Sequence, residues 1–276
     1  MGRRRYPPAG KAILLTGASR GLGQAIAVAL AHKGARLALT ARDEAGLQQT
    51  AALCRAAGAE VHLLPADLTD EAACRRVVDV SVAALGGLDI LIANAGQSMW
   101  APFEQVTDLS VYASLVQINY LSVVALTHAA LPHLVRSHGA IVAVSTAQAW
   151  TGMPLHTGYA ASKAALQAFL DSLAMEQGDC IHILGIYPGW IRDTNLRAAA
   201  LGADGAPLRQ TRASHSSLSV SPEACADSIV RSLEKGRSMD FVPNYMRLLY
   251  AARPFAYPLI QRILSSAVSS QKSSHK

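Results

Sequence analysis

Charge is scarce in this chain. Asp, Glu, Lys and Arg together make up 16% of its 276 residues, against about 25% in an ordinary globular domain. That excludes a solvated, disordered polypeptide, and the 51% of hydrophobic residues leaves room for a large core. Cysteine is also sparse. Cys54, Cys74, Cys180 and Cys225 lie far apart with no C-x-x-C spacing, which excludes a disulfide framework and points to a reducing, cytoplasmic setting. His128, His133 and His138 recur every five residues, a step of about 140° on a helix, so they do not face one metal, and no metal site is expected. No apolar run reaches about 18 uninterrupted residues, so no membrane-spanning helix is expected. Arg3-Arg4-Arg5 leads into Tyr6-Pro7-Pro8 and not into the apolar core of a signal peptide. Acidic residues are the scarcer sign, 19 against 25 basic, for a net charge of +6. The basic residues are scattered outside the N-terminus and the tail and accompany no nucleic-acid module, so nucleic acid is excluded as the main partner.

What the chain does have is an alternation of strand-length apolar runs and helical patterns. Ala12 to Leu15 reads as a strand, Thr16-Gly17-Ala18-Ser19-Arg20-Gly21-Leu22-Gly23 as a turn, and Gln24 to His32 as a helix. Strand, glycine turn, helix is the context of a phosphate site, because glycines let backbone N–H groups approach a pyrophosphate at a helix N-terminus. The spacing here is G-x-x-x-G-x-G and not the common G-x-G-x-x-G. Leu37 to Thr40 is a second strand, followed by Ala41-Arg42-Asp43-Glu44. Arginine at such a strand end accommodates a 2′-phosphate, whereas an acid there holds the ribose of NAD. Asp43 and Glu44 suit the first turn of the next helix, so Arg42 and Arg20 favour NADP(H).

Val61 to Pro65 is a third strand, ending at Asp67-Leu68. Leu88 to Ala93 is a fourth, running into Asn94-Ala95-Gly96. A helical region from about Leu109 to Val135 carries Asn119 in an apolar stretch, where it serves either as a satisfied core amide or as a site residue. Ala140 to Val144 is a fifth strand with Ser145 at its end. The helix that follows opens on Tyr159-Ala160-Ala161-Ser162-Lys163, whose four-residue spacing places the phenol and the ammonium on one face. A cation beside a phenol lowers its pKa, which makes Tyr159 a tunable proton donor. Ile181 to Tyr187 is a sixth strand ending at Pro188-Gly189. Ser221-Pro222-Glu223 caps a helix, and Asp240 to Val242 is a last strand. The pattern implies an α/β fold, a Rossmann-like doubly wound parallel sheet in three layers with a C-terminal helical extension. One domain is expected over residues 1–276, with its core at about 11–243, a substrate lid at about 190–220 and a tail at about 244–276.

Within that frame, Thr16-Gly17-x-x-x-Gly21-x-Gly23, Asp67, Asn94-Ala95-Gly96, Asn119, Ser145, Tyr159-x-x-x-Lys163 and Pro188-Gly189, in this order, resemble the short-chain dehydrogenase/reductase family. The resemblance covers about Lys11 to Gly189. It implies that Tyr159 is the general acid in reduction and the base in oxidation, and that Ser145 hydrogen-bonds the substrate oxygen. It implies that Lys163 binds the nicotinamide ribose and lowers the Tyr159 pKa, and that Asn119 holds a water behind Lys163. Asp67 and Asn94 would line the adenine side of a cofactor pocket that also takes in Gly17, Ser19, Arg20, Gly21, Leu22, Gly23, Arg42, Leu68, Ala95, Gly96, Pro188 and Gly189. A threonine often stands five residues after the proline of Pro-Gly in such proteins. Here Asp193 holds that place, and Thr194 is the substitute contact for the carboxamide. The activity implied is NADP(H)-dependent interconversion of a ketone and a secondary alcohol. The alternatives are an epimerase or dehydratase on the same fold, or a cofactor-sensing protein with weak turnover.

Trp100, Trp150 and Trp190 each follow a strand end, so they are expected on the ligand side, lining a pocket for a bulky apolar or lipid-like substrate. The tail interleaves Met246, Leu248, Leu249, Phe255, Leu259, Ile260, Ile263 and Leu264 with Arg247, Arg253 and Arg262 and with Tyr245, Tyr250 and Tyr257, ahead of Lys272 and Lys276. Pro254 and Pro258 predict two short helices there. An apolar face flanked by arginine and tyrosine suits peripheral contact with a lipid surface. The same residues suit packing over the cleft or against a second subunit. A homodimer or homotetramer is the expected assembly.

Overall fold

The structure, a computed structural model, describes residues 4–273 apart from 193, 195, 197 and 209–218, with side chains followed to residue 262. Strand β1 (Ala12–Thr16) is buried at every position, and so are β4 (Ile90–Ala93) and β5 (Ala140–Val144). Such continuous apolar strands belong at the centre of a parallel sheet covered on both faces. With β2 (Arg36–Thr40), β3 (Val61–Leu63), β6 (His182–Pro188) and β7 (Met239–Val242) they form a seven-stranded sheet in the order β3-β2-β1-β4-β5-β6-β7. Every pairing is parallel. The strand order reverses between β1 and β4, which opens a crevice at the carboxyl ends of the strands.

Alternate side chains send the sheet's contacts to opposite faces. Ile13 and Leu15 pack with Ile26 and Leu30 of α1 (Gly21–Ala31), Leu47 and Ala51 of α2 (Glu44–Ala56), and Ile229 and Leu233 of α7 (Pro222–Glu234). Leu14 and Leu91 pack on the other face with Val77 and Val78 of α3 (Glu71–Leu85), Leu126 and Leu134 of α5 (Ser122–Ser137), and Leu173 of α6 (Thr157–Gln177). These are the three layers expected, and α2, α3 and α7 start on capping side chains. Asp43, Asp70 and Ser221 accept from Gly46, Ala72 and Ala224 respectively, each satisfying a first-turn N–H. Asp43 thus opens α2, as its position predicted.

Three expectations change in detail. The third strand stops at Leu63, before Pro65, which has no N–H to give a ladder. The helical region after β4 is not uniform, since α4 (Ser110–Val116) passes through a π-helical stretch, Gln117–Leu121, into α5. Taken as one run, Ser110–Ser137 has 28 residues and a mean hydropathy of 1.3, long and apolar enough to cross a membrane by length and composition. A test for uninterrupted apolar residues misses it because Gln117 and Asn119 interrupt the run. Here 39% of its apolar window is buried, with Val123, Leu126, Ala130 and Leu134 covered by the fold.

The last helix, α8 (Met246–Ser273), contains a non-helical residue, Ala256, at φ −119° and ψ 19°. It lies between Pro254 and Pro258, so two helical stretches meet there, as the prolines predicted. Residues 209–218 of the expected lid, and the side chains of Ile263, Leu264, Lys272 and Lys276, lie outside the described residues, as does Asp193.

Candidate active site

The glycine turn is fixed by close backbone approach. Gly17 has φ +67°, and a Cβ on it would stand 2.9 Å from both Ala95 Cα and Asn94 Nδ2. A Cβ on Gly23 would collide with the Gly17 carbonyl. The turn is tied to β4 by Thr16, whose Oγ1 accepts from the N–H groups of Asn94 and Ala95, each at 3.0 Å, and donates to Ile92 O at 3.3 Å. Asn94 Nδ2 returns the contact to Thr16 O at 3.0 Å and Gly17 O at 3.2 Å. Asn94, expected beside the adenine, therefore first braces the glycine turn. Arg20 is the N-cap residue of α1, with no side-chain cap, and the first turn carries no acid. The N–H groups and the positive end of the helix dipole are left to an anion. The cradle fits a pyrophosphate.

Around the cradle, Ser19 packs under α2, where a Cβ on Gly46 would lie 2.7 Å from Ser19 O. Leu22 packs against the α1-side core and Leu68 is buried in the other, so Leu68 can offer a ligand only its backbone. Arg42 is exposed and reaches Asp67 at 4.0 Å. Asp67 Oδ1 accepts from Thr69 N at 3.0 Å and Thr69 Oγ1 at 2.9 Å. The Thr69 hydrogen bonds, backbone first, and the nearby Arg42 hold the Asp67 carboxyl below its ordinary pKa. Thr194 lies across the mouth of the turn, its Cγ2 3.5 Å from where a Gly21 Cβ would be. Pro188 ends β6, and Gly189 N–H donates to Val242 O at 2.8 Å.

The second cluster forms where β5 meets α6. Tyr159 and Lys163 are buried, at 8% and 4% exposure. Lys163 Nζ donates to Val144 O at 2.9 Å, and the Thr146 side chain acts on the Tyr159 phenol, drawing its pKa down. Ser145, between Val144 and Thr146, is 4% exposed, and its Oγ has no hydrogen-bond partner among the described residues. Gly96 lies against the same cluster, a Cβ there being 2.8 Å from Asn119 Oδ1 and 3.6 Å from Lys163 Nζ. Asn119 is fully buried in the π-helical stretch. Its Oδ1 accepts from Gln97 N at 2.9 Å, and its Nδ2 donates to Gln97 O at 2.8 Å and Ser162 Oγ at 3.0 Å. Ser162 Oγ donates in turn to Tyr159 O at 2.8 Å. Asn119 is thus a clamp joining the loop after β4 to the helix that carries Tyr159 and Lys163.

The electrostatics correct one expectation. Burial pushes the Tyr159 phenol up to about 12, and the group that pulls it down is Thr146, not Lys163. Lys163 is turned to the Val144 carbonyl, and burial lowers its own pKa to about 8. A phenol this buried holds its proton firmly near neutral pH.

The tryptophans separate. Trp100 packs edge-on to His156 at 4.8 Å, beside Met153 and Leu155, and the His156 ring is 6.3 Å from that of Tyr159. Trp150 lies 5.6 Å from Tyr187 and 4.8 Å from Tyr250, so it docks the first turns of α8. Trp190 is 39% exposed.

Sequence reasoning assigned no role to Thr16, Gln97, Thr146 or Ser162, although Thr16 and Ser162 stand inside the motifs it quoted. Each adjoins a residue that it singled out, and for Thr16, Thr146 and Ser162 a small hydroxyl beside a site residue was the available signal. Among the described residues no group of three or more His, Cys, Asp or Glu could hold a metal.

Known proteins resemble this chain along most of its length. The family model described as short chain dehydrogenase matches residues 11–203. The chain is 33% identical over 257 residues to a protein named 11-beta-hydroxysteroid dehydrogenase 1A from Arabidopsis thaliana, covering 91% of this chain and 74% of that one. It is 35% identical over 247 residues to 11-beta-hydroxysteroid dehydrogenase A from Sesamum indicum, covering 88% and 71%. Among solved structures, a metagenomic short-chain oxidoreductase in complex with NADP superposes with a TM-score of 0.70 at 26% identity, covering 85% of this chain and 97% of that one. With the family model spanning well over half of its length, the chain belongs to the short-chain dehydrogenase/reductase family.

Proposed function

We propose that this protein interconverts a bulky apolar ketone and its secondary alcohol with NADP(H), acting as a carbonyl reductase or alcohol dehydrogenase. One observation carries this reading. The unpartnered Ser145 hydroxyl is bracketed by Val144, which receives Lys163, and by Thr146, which acts on Tyr159. A carbonyl oxygen placed there meets a donor from Ser145 and the phenol proton of Tyr159, where negative charge grows. The glycine turn would hold NADP(H), which would supply the hydride for the carbonyl carbon. Lys163, in reach of both the Gly96 loop and the phenol's helix, is suited to the nicotinamide ribose. Asn119 keeps an acceptor lone pair on Oδ1 after its Gln97 contact, which suits a water behind Lys163. Thr194, opposite Gly21, suits the carboxamide.

Preference for NADP(H) rests on Arg42 and Arg20, both exposed at the adenosine end, and on the diversion of Asp43 to helix capping. An apolar substrate agrees with Trp100, Met153 and Leu155 beside the cluster and with the names of the relatives. The outer face of α8, with Leu248 73%, Phe255 92% and Leu259 60% exposed beside Arg247, suits contact with an anionic lipid surface. The 190–220 segment serves as the lid, and the chain assembles as a homodimer or homotetramer. A panel of large and small ketones, followed by loss of NADPH absorbance, tests the central assignment. Oxidation of NADPH by at least one bulky ketone is expected. A panel that leaves NADPH untouched even in single-turnover mixtures would instead favour a cofactor-sensing protein.

A further inference from the structure

Helix α8 carries one arginine on an otherwise apolar inward face. Among its side chains described to residue 262, the partly or fully buried positions are Met246, Tyr250, Arg253, Tyr257 and Ile260, with Ala256, and the 4-3-4-3 spacing marks one inward face. Phe255 and Leu259 point outward while an arginine points in. A guanidinium is strongly disfavoured away from water unless it meets an anion or acceptors. Yet no acid stands anywhere from Phe241 to the last residue. The ring contact of Arg253 is with Tyr257, at 5.5 Å. Its Nε is buried without a hydrogen-bond partner among the described residues. One turn earlier on the same face, Tyr250 touches Trp150, and the indole Nε1–H of Trp150 is buried and without such a partner too. Two orphaned donors, one of them cationic, thus lie on the α8 face that Trp150 meets, Trp150 against Tyr250 and Arg253 three residues after Tyr250, and Trp150 lies five residues past Ser145. Leaving buried donors unpaired is costly, so each of them calls for an acceptor.

We propose that Trp150 and Arg253 form a subsite for a carboxylate-type anionic group carried by the substrate. The subsite rests on the ketone-reducing reading above and narrows it to an apolar ketone with an acidic group remote from the carbonyl. The indole N–H gives one directed hydrogen bond, and the guanidinium gives charge-assisted ones.

Titration calorimetry on the full chain with NADP, using a medium-chain keto acid and its methyl ester, tests this without turnover. The acid is expected to bind about 10-fold tighter or more. Arg253→Met, which keeps the apolar stem, and Trp150→Phe, which keeps a ring, should each remove most of that difference. Arg231→Met, an exposed arginine on α7, should preserve it. Equal affinity for acid and ester in the wild type overturns the proposal, and so does an Arg253→Met profile that matches Arg231→Met. If far-UV circular dichroism shows Arg253→Met unfolded, the Trp150→Phe titration decides: loss of the acid preference supports the subsite, and its retention overturns it. Tight acid binding with no NADPH oxidation by any ketone would keep the subsite and remove the reductase reading. Oxidation with equal affinities would do the reverse.

Discussion

The two ends of the crevice are built differently. At the glycine turn, the end proposed for the adenosine, backbone meets backbone. The Gly17–Gly23 turn leaves no room for a Cβ at two positions, and Thr16 and Asn94 tie it to β4 with hydrogen bonds of 3.0–3.2 Å. At the end proposed for the substrate, side chains meet side chains. Trp100, Trp150 and the α8 residues Tyr250 and Arg253 come from three segments, and polar atoms of Ser145, Gln148, Trp150 and Arg253 stay unpartnered among the described residues. A site that binds one cofactor can be rigid in its main chain. A site that must recognise a particular substrate keeps its hydrogen-bonding capacity for the substrate.

That contrast breaks most visibly at Gly23. Gly23→Ala drives a methyl into the Gly17 carbonyl, so NADPH binding should fall by about 100-fold or more and the melting temperature should drop, as read by cofactor fluorescence and thermal unfolding. A variant that binds NADPH normally would show that the turn has slack. Arg42→Ala comes next. Losing a charge-assisted contact to the 2′-phosphate should weaken NADPH by about 10-fold and leave NADH within about 2-fold, by the same titration. Equal losses for both cofactors would place Arg42 elsewhere.

The buried ammonium gives a pH signature. Lys163 has its pKa lowered from 10.5 to about 8, so between about pH 8 and 10.5 the unfolded chain binds more protons at this residue than the folded one. Its contribution to stability therefore rises with pH across that window and is least favourable below it. Lys163→Met should flatten the rise, seen as the difference between wild-type and variant denaturation midpoints at pH 7.5 and 9.5. An unchanged difference would mean the ammonium is solvated in the folded protein. The smallest effect is expected at Asp43. Asp43→Ala removes the cap on Gly46 and should cost about 1 kcal/mol in urea unfolding, with the NADPH-to-NADH affinity ratio kept. A shift of that ratio toward NADPH would show that Asp43 also faces the ribose.

The adenosine end was legible in the sequence for the reason that makes it rigid. Glycines at 17 and 23 are demanded by close approach of the Asn94-Ala95 and Gly17 backbone, Gly21 by a positive φ of +56°, and Gly96 by the Asn119 side chain, and such demands leave fixed spacings. Tyr159 and Lys163 were legible because a helix puts i and i+4 on one face. The direction of the Tyr159 shift was not, because it depends on how deeply the phenol is buried and on where the Lys163 ammonium turns, and no spacing encodes either. The inward Arg253 was also hidden. In the sequence it is one of three arginines interleaved with apolar residues, and only the packed helix distinguishes the face that meets Trp150 from the face that carries Phe255. The π-helical stretch at Asn119 was legible only as a polar residue in an apolar run.

The central claim is that Tyr159 delivers the proton, and Tyr159→Phe tests it most directly, since it removes one hydroxyl and keeps the ring. NADPH binding by fluorescence titration should stay within about 2-fold of wild type, while turnover on the best ketone of the panel falls by about 100-fold or more. Near wild-type turnover in a variant that still binds NADPH would contradict the account.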